Sequence, residues 1–225
     1  MLKINDLRTY GWMSAVRGMR NPMNSWDKSD SYETHGEYGD QFFFGANDLA
    51  LAQKLIRSGS DHRKFLRQIF VSVDVTAPLY WWKEFDTYKI GTVANSCSTM
   101  HKIHDRDLTL DDFSHEHLDA WGLVTLGNTI RTLNLDRDMY VNYDHKTCNK
   151  TDRKNYWCQM IQLLPTSYNQ MRTVTLNYEV LYNMYHARKN HKLDEWHTFC
   201  DTLADKLPYF EELINHDKPN PTADA

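Results

Sequence analysis

The most constraining feature of this chain is a strand that runs straight into an Ala-Pro step. Ile69, Val71, Val73 and Val75 recur at every second residue, with Ser72 and Asp74 between them. That is the period of a strand with one buried face. Ala77–Pro78 then close it. Proline suits the first turn of a helix, where its missing N–H costs nothing, so a helix is predicted over Leu79–Tyr88 with Leu79, Trp82 and Phe85, and also Trp81, directed inward. Gly91–Thr99 reads as a loop. The stretch Val75–His101 is therefore expected to be a strand, a helix and a loop lining a pocket, with Leu163–Pro165 and Asn177–His191 as its other walls.

The flanking chain divides less sharply. Leu2, Ile4 and Leu7 mark a first strand. Ala15–Ser31 has no period and reads as a loop, either solvated or ligand-binding. In the second case Arg17 and Arg20 supply forks for a phosphate and Trp26 a stacking face. Tyr32–Gly45, aromatic and punctuated by glycine, reads as a loop as well. Asn47 is placed as the cap of a helix through Arg57 that Gly59 stops. A further helix is predicted over Leu118–Leu135, followed by a polar surface excursion over Asp136–Asn155. Trp157–Leu164 fits a helix or a strand until Pro165. Val174–Lys192 is the strongest helical pattern of the second half, and the pattern continues to Leu207 before Pro208. With no repeat and no linker, one domain over residues 1–215 is expected, with a flexible tail over 216–225.

Composition restricts the partners. Apolar residues make up 41% of the 225, as in an ordinary folded protein. A net charge of −4 argues against a DNA- or RNA-polymer binder, which carries a basic surface. Seven Trp and thirteen Tyr suit stacking pockets or large interfaces. The four cysteines form no C-x-x-C pair, and neither a leader nor a long apolar run stands out. A reduced, soluble, cytoplasmic protein without membrane partners is expected. No Walker or dinucleotide glycine fingerprint occurs. His101, His104, His115 and His117 lie near Asp105, Asp111 and Asp112, yet their spacing fits no closed Cys/His site, so a polar loop rather than a metal centre is expected.

Two constellations carry chemistry. On a helix begun at Asn177, a turn of 100° per residue places Asn177, Met184, Arg188 and His191 on one stripe, with Asn183 a third of a turn away. Two readings stand: a solvated polar face, or a phosphate-binding arginine with amides that read a base or sugar. Burying Arg188 without an anion would be costly. Cys97, between Ser96 and Ser98, is either structural or an exposed nucleophile, and no base for it is identifiable.

Taken in order, these segments resemble the flavin-dependent thymidylate synthase family. His62 and Phe65–Leu66, the strand Ile69–Val75, Ala77–Pro78 and the aromatic helix Trp81–Phe85 match its first part. Leu164–Pro165 matches its Leu-Pro step, and Asn177, Asn183 and Arg188 match its ligand helix at the same spacing. The matching stretches cover roughly residues 62–101 and 160–214. The resemblance implies an α/β (or α+β) fold with a mixed sheet covered by long helices, a homotetramer with pockets between subunits, and FAD and nucleotide ligands. Where the family carries Arg-His-Arg, this chain has Thr87, Tyr88 and Lys89. Thr92 and Cys97 stand at its two serines, Ala94 and Asn95 at its Asn-Glu pair, Thr99 and Met100 at its Arg-Tyr pair, and Glu179 at an arginine of the ligand helix.

The expected function is nucleotide binding or sequestration through Arg188, Asn177, Asn183 and His191. Tyr88, Lys89, Asn95, Arg17 and Arg20 are the supplementary contacts, and the standard family chemistry is lost with its cationic signature. An active FAD-dependent methylase of dUMP or a related pyrimidine nucleotide, with Thr92 or Cys97 replacing serine, is the first alternative. A non-catalytic assembly module is the second.

Overall fold

In the computed structural model, which describes residues 2–36, 39–143 and 150–215, the alternating run forms a strand over Phe70–Pro78. Val71, Val73, Val75 and Ala77 are fully buried, and Ser72, Asp74 and Thr76 are half-buried between them. In chain order the elements are β1 (Lys3–Tyr10), α1 (Trp12–Arg20), β2 (Tyr32–Gly36), β3 (Gly39–Phe43), α2 (Ala46–Arg57), β4 (Phe70–Pro78), α3 (Leu79–Phe85), β5 (Val93–Ser96), α4 (Thr99–Lys102), α5 (Ala120–Val141), α6 (Lys150–Leu163), β6 (Asn169–Asn177), α7 (Tyr178–Arg188), α8 (Asp194–Lys206) and α9 (Phe210–Leu213). Four strands form a sheet in the order β1-β4-β6-β5, and β2 and β3 make a separate antiparallel hairpin. The class is the mixed α/β fold with long helices that the sequence predicts. No helix among the described residues is long and apolar enough to cross a membrane.

The chain clusters into two compact units, each drawn from separated stretches. One contains Val75–Thr87 and Asn95–Arg172, the other Ile4–Asp74, Tyr88–Ala94 and the chain from Thr173 onward. In the first, Trp81, Trp82 and Phe85 of α3 are buried with ring centroids 4.9–5.2 Å apart. The indole of Trp82 donates to the Gln170 carbonyl at 2.9 Å. Ile103, Leu108, Phe113, Leu126, Ile130, Leu133 and Met160 form the core between α5 and α6. The Asp119 carboxylate caps α5 by accepting from the Gly122 amide at 2.8 Å.

In the second unit, Trp12 packs among Phe42, Phe44, Tyr178 and Tyr209, with centroids 5.0–6.0 Å away. Its polar centre is Asp48, fully buried on α2, which accepts from Arg20 Nε at 2.5 Å, from the Ser29 and Ser31 hydroxyls and from the amides of Asp30 and Ser31.

Several boundaries differ from expectation for physical reasons. Residues 12–20, of which the expected loop takes in 15–20, are helical. Trp12, Ala15, Val16 and Met19 give the apolar i, i+3, i+4, i+7 stripe, and a reading begun at Ala15 cuts that stripe at its first member. The aromatic segment after Tyr32 is a hairpin rather than a loop. Helix α2 starts one residue before Asn47, after an extended Gly45. Its first amides, those of Asn47 and Asp48, are met by the Asp30 carboxylate at 2.8 and 3.0 Å. A short strand, β5, lies inside the predicted 91–99 loop.

Trp157–Leu164 falls largely in α6. Much of 136–155 is helical, since α5 runs on to Val141 and α6 begins at Lys150. Residues 144–149 and the expected tail 216–225 lie outside the described residues. The largest correction is Val174–Lys192, whose first four residues end strand β6 before the helix begins.

Candidate functional site

Strand β6 shows why the helix begins late. Val174 and Leu176 are buried while Thr173 and Thr175 are exposed, the two-residue alternation of a strand. Asn177 has extended backbone (φ −126°, ψ 167°), and its side-chain oxygen accepts from the Val180 amide at 3.0 Å. It is therefore the N-cap of α7 rather than a member of a helical stripe. The connection after α3 passes close to this cap. Gly91 sits at φ +76°, and a Cβ added there would fall 2.8 Å from the Asn177 amide nitrogen and 3.2 Å from Val180. Only glycine gives both the left-handed backbone and the close approach.

At the other end of α7, Arg188 is half-buried, and its Nε donates to the Tyr88 hydroxyl at 3.0 Å. The guanidinium carbon lies 5.6 Å from the Tyr88 ring centre and 5.1 Å from that of Trp196. Both separations are within the range of cation–π attraction. Trp196, fully buried on α8, also stands 6.3 Å from the rings of Tyr88 and His191. His191 falls beyond the last residue of α7, and its Nδ1 accepts from the Leu193 amide at 3.2 Å, which shapes the turn into α8. Three predicted residues, Tyr88, Arg188 and His191, are thus gathered about one indole. The sequence pattern presents Trp196 as a core residue of α8, and nothing local marks it as the floor of a cationic site.

The first turns of α7 hold a second cluster. Glu179, buried, accepts from Arg63 Nε at 2.9 and 3.2 Å. Arg63 Nη2 donates to Asn183 at 3.3 Å, and the same guanidinium lies 4.1 Å from the Tyr182 ring centre. Asn183 is exposed. Arg63 was not among the expected site residues, although a buried carboxylate on α7 requires a cation from elsewhere.

The remaining candidates are dispersed. Arg20 is buried, with Nε on Asp48 and Nη1 on the Ser25 carbonyl at 3.2 Å, so it serves the interior of its unit. Burial pushes the Asp48 carboxyl up. The hydrogen bonds from Ser31, Arg20 and Ser29 outweigh this and hold its pKa at about 2. Arg17 is exposed, 5.3 Å from the Trp26 ring centre, beside a cleft of about 300 Å³ shared with Met13 and Ser14. Lys89 is exposed. Thr92 carries a buried hydroxyl with no hydrogen-bond partner among the described residues. Asn95 and Cys97 belong to the other unit and are exposed. The Cys97 amide donates to the Met171 carbonyl at 2.9 Å, and its own carbonyl accepts from Gln170 Nε2 at 3.0 Å.

No protein-family model matches the chain, and no curated protein matches it. Solved structures do. A crystal structure of Thymidylate Synthase X from Helicobacter pylori with FAD and dUMP is similar, with a TM-score of 0.63 and 15% identity over 96% of this chain and 98% of that one. A second structure of the Helicobacter pylori enzyme, also complexed with FAD and dUMP, gives 0.64 and 15% over 95% and 98%. The UMP/dUMP methylase PolB from Streptomyces cacaoi, bound with 5-Br dUMP, gives 0.57 and 12% over 95% and 90%. At such identity the likeness concerns architecture, and the chain has a ThyX-like fold.

Proposed function

We propose that this protein binds a pyrimidine mononucleotide on its ThyX-like scaffold, with Arg188 meeting the phosphate, and holds or sequesters it without the family's flavin chemistry. The observation that carries this reading is the setting of Arg188. Its Nε bond to Tyr88 and its place against the Trp196 ring fix the plane of the guanidinium, and a guanidinium held in one plane is the group suited to bidentate recognition of a phosphate. The similar structures contain dUMP or 5-Br dUMP, which is the source of the ligand class. Asn183 and His191, on and just after the same helix, are the polar groups assigned to the sugar or base.

The residues do not fit FAD as the resemblance implies. The Thr87 hydroxyl donates to the Glu84 carbonyl at 2.7 Å, the Tyr88 hydroxyl accepts from Arg188, and Lys89 is the one cation left of the expected three. On α7, Glu179 puts a carboxylate where a phosphate-binding arginine is expected, and a carboxylate repels a phosphate. No flavin step is therefore assigned. A homotetramer is proposed with the same scaffold. Helix α5 exposes Trp121, Val124, Leu135 and Met139, an apolar face of the kind that an assembly covers.

Thermal unfolding with and without ligand tests the proposal. At a hundredfold excess over Kd, dUMP adds about 2.7 kcal/mol of stability, a shift of roughly 5–10 °C for a chain of this size. The purified protein is expected to be colourless. No shift with any pyrimidine nucleotide would leave the assembly reading, and a yellow protein with a flavin absorbance band would restore the methylase reading in which Thr92 or Cys97 replaces serine. Native mass spectrometry reads the subunit number in the same sample.

A further inference from the structure

A second cleft, of about 630 Å³, lies wholly within the unit that carries α5 and α6. It is separate in sequence from every residue assigned above to the nucleotide. On α6, Arg153 and Trp157 are one helical turn apart and Lys154 adjoins them, so two cations and an indole share one stretch of wall. Met100 and His104 come from α4 and the turn after it, and Tyr140 from the end of α5.

These side chains are held in place. Trp157 Nε1 donates to the Met100 carbonyl at 3.2 Å, which fixes the indole against α4. Arg153 donates from Nε to the Tyr140 carbonyl at 3.2 Å and lies 4.6 Å from the Tyr140 ring centre. The His104 ring meets Tyr140 edge-on at 4.9 Å, and its Nδ1 is buried with no hydrogen-bond partner among the described residues. A buried polar atom left unpaired is costly, and such atoms mark places that a partner completes.

The chemistry of the wall is one-sided. Apart from Tyr140, its titratable side chains are arginine, lysine and histidine, and among the described residues no carboxylate lines it. Asp105, 4.0 Å from His104 Nε2, is paired with Lys102 at 2.7 Å and is not part of the lining. In a chain of net charge −4, a cleft wall with cations on it and no carboxylate among the described residues favours an anionic occupant. Trp157, Tyr140 and Met100 add flat or pliable apolar surface that a bare inorganic ion would leave unused. The volume falls in the range of small-molecule sites.

We infer that this cleft is a binding site for a planar aromatic acid, its ring against Trp157 and Met100 and its anionic group toward Arg153 and Lys154. Because Arg153 already covers Tyr140, the ring is assigned to the Trp157 side.

The test uses the full chain and two probes of equal shape, 1-naphthoate and its uncharged amide, 1-naphthamide. The indole N–H resonance of Trp157, identified by its loss in Trp157→Phe, is followed by NMR. Saturable movement of this resonance with naphthoate is expected, together with binding of naphthamide at least about tenfold weaker. Lys154→Glu, at an exposed position, should weaken naphthoate by at least about tenfold, the scale of a hydrogen bond to a charged group. The other indole resonances report that this variant is folded. Arg188→Ala should leave naphthoate affinity unchanged, which keeps this test independent of the nucleotide reading. The inference is overturned if naphthoate leaves the Trp157 signal in place, if naphthamide binds equally well, if Lys154→Glu has no effect, or if inorganic phosphate alone moves the signal as far as naphthoate does.

Discussion

Arg63 donates from Nε to both carboxylate oxygens of Glu179, at 2.9 and 3.2 Å, across 116 residues of sequence. The pair stands on the first turn of α7, where the resemblance implies an arginine. A carboxylate stands there in this chain, and Arg63, from the turn before β4, balances its charge. The local sum is neutral, so this pair offers little attraction to a phosphate, which fits the proposal of Arg188, at the other end of α7, as the anion contact.

Breaking this pair should be costly because both side chains are mostly buried, at 14% and 9% exposure. Arg63→Met leaves the Glu179 carboxylate buried and unpaired, for which a loss of about 3–5 kcal/mol is expected in urea unfolding. Adding Glu179→Leu to the same protein should recover most of that loss. Equal losses in the single and double variants would mean that the pair does not hold this region.

Asp48 supplies an acid-sensitive contribution to stability. Its carboxyl titrates at about 2 in the folded protein and at about 3.9 in the unfolded chain. As pH falls, the unfolded chain takes up the proton first, so the stabilisation is complete above about pH 5 and lost as pH approaches 2. The amount is about 2–3 kcal/mol. Asp48→Asn should remove this pH-dependent part and lower stability at neutral pH as well, because Arg20 then lies buried beside an uncharged amide. Unfolding free energies measured from pH 2 to 7 in both proteins check the slope and its disappearance.

Gly91 ties the Tyr88 loop to the cap of α7. Gly91→Ala forces a Cβ to within 2.8 Å of the Asn177 amide nitrogen at a positive φ, so either the loop or the cap must shift. A stability loss of about 1–3 kcal/mol is expected, accompanied by weaker nucleotide binding because Tyr88 is carried on the same loop. Unchanged unfolding and unchanged affinity in this variant would show that the loop does not rely on the close approach.

The most legible parts of the sequence were those in which one period dominates. Strand β4 and the start of α3 follow from Val71, Val73, Val75 and Pro78 alone. The β6–α7 junction was legible in principle, since Thr173 and Thr175 interleave Val174 and Leu176 ahead of a capping asparagine. Reading it as a helix let the apolar count outweigh the β-branched alternation and put Asn177 on a stripe that it does not occupy. The site residues divide along the same line. Arg188 stands out by its helical spacing from Met184 and Asn183, and Tyr88 only by its place where the resembled family carries its Arg-His-Arg signature. Arg63 does not, because its partner Glu179 is 116 residues away, and Trp196 does not, because its apolar spacing on α8 marks it as core and its contact with Tyr88 spans 108 residues. Arg20 illustrates the converse: an arginine in a polar segment looks available for a ligand until Asp48, 28 residues on, is seen to hold it.

Isothermal titration of dUMP into the intact protein and into Arg188→Ala tests the central claim most directly. Saturable binding by the intact protein is predicted, with affinity reduced by at least about tenfold in the variant, as expected when a charged hydrogen-bond partner of a phosphate is removed. Equal affinities in the two proteins would contradict the assignment of Arg188 as the phosphate-binding residue.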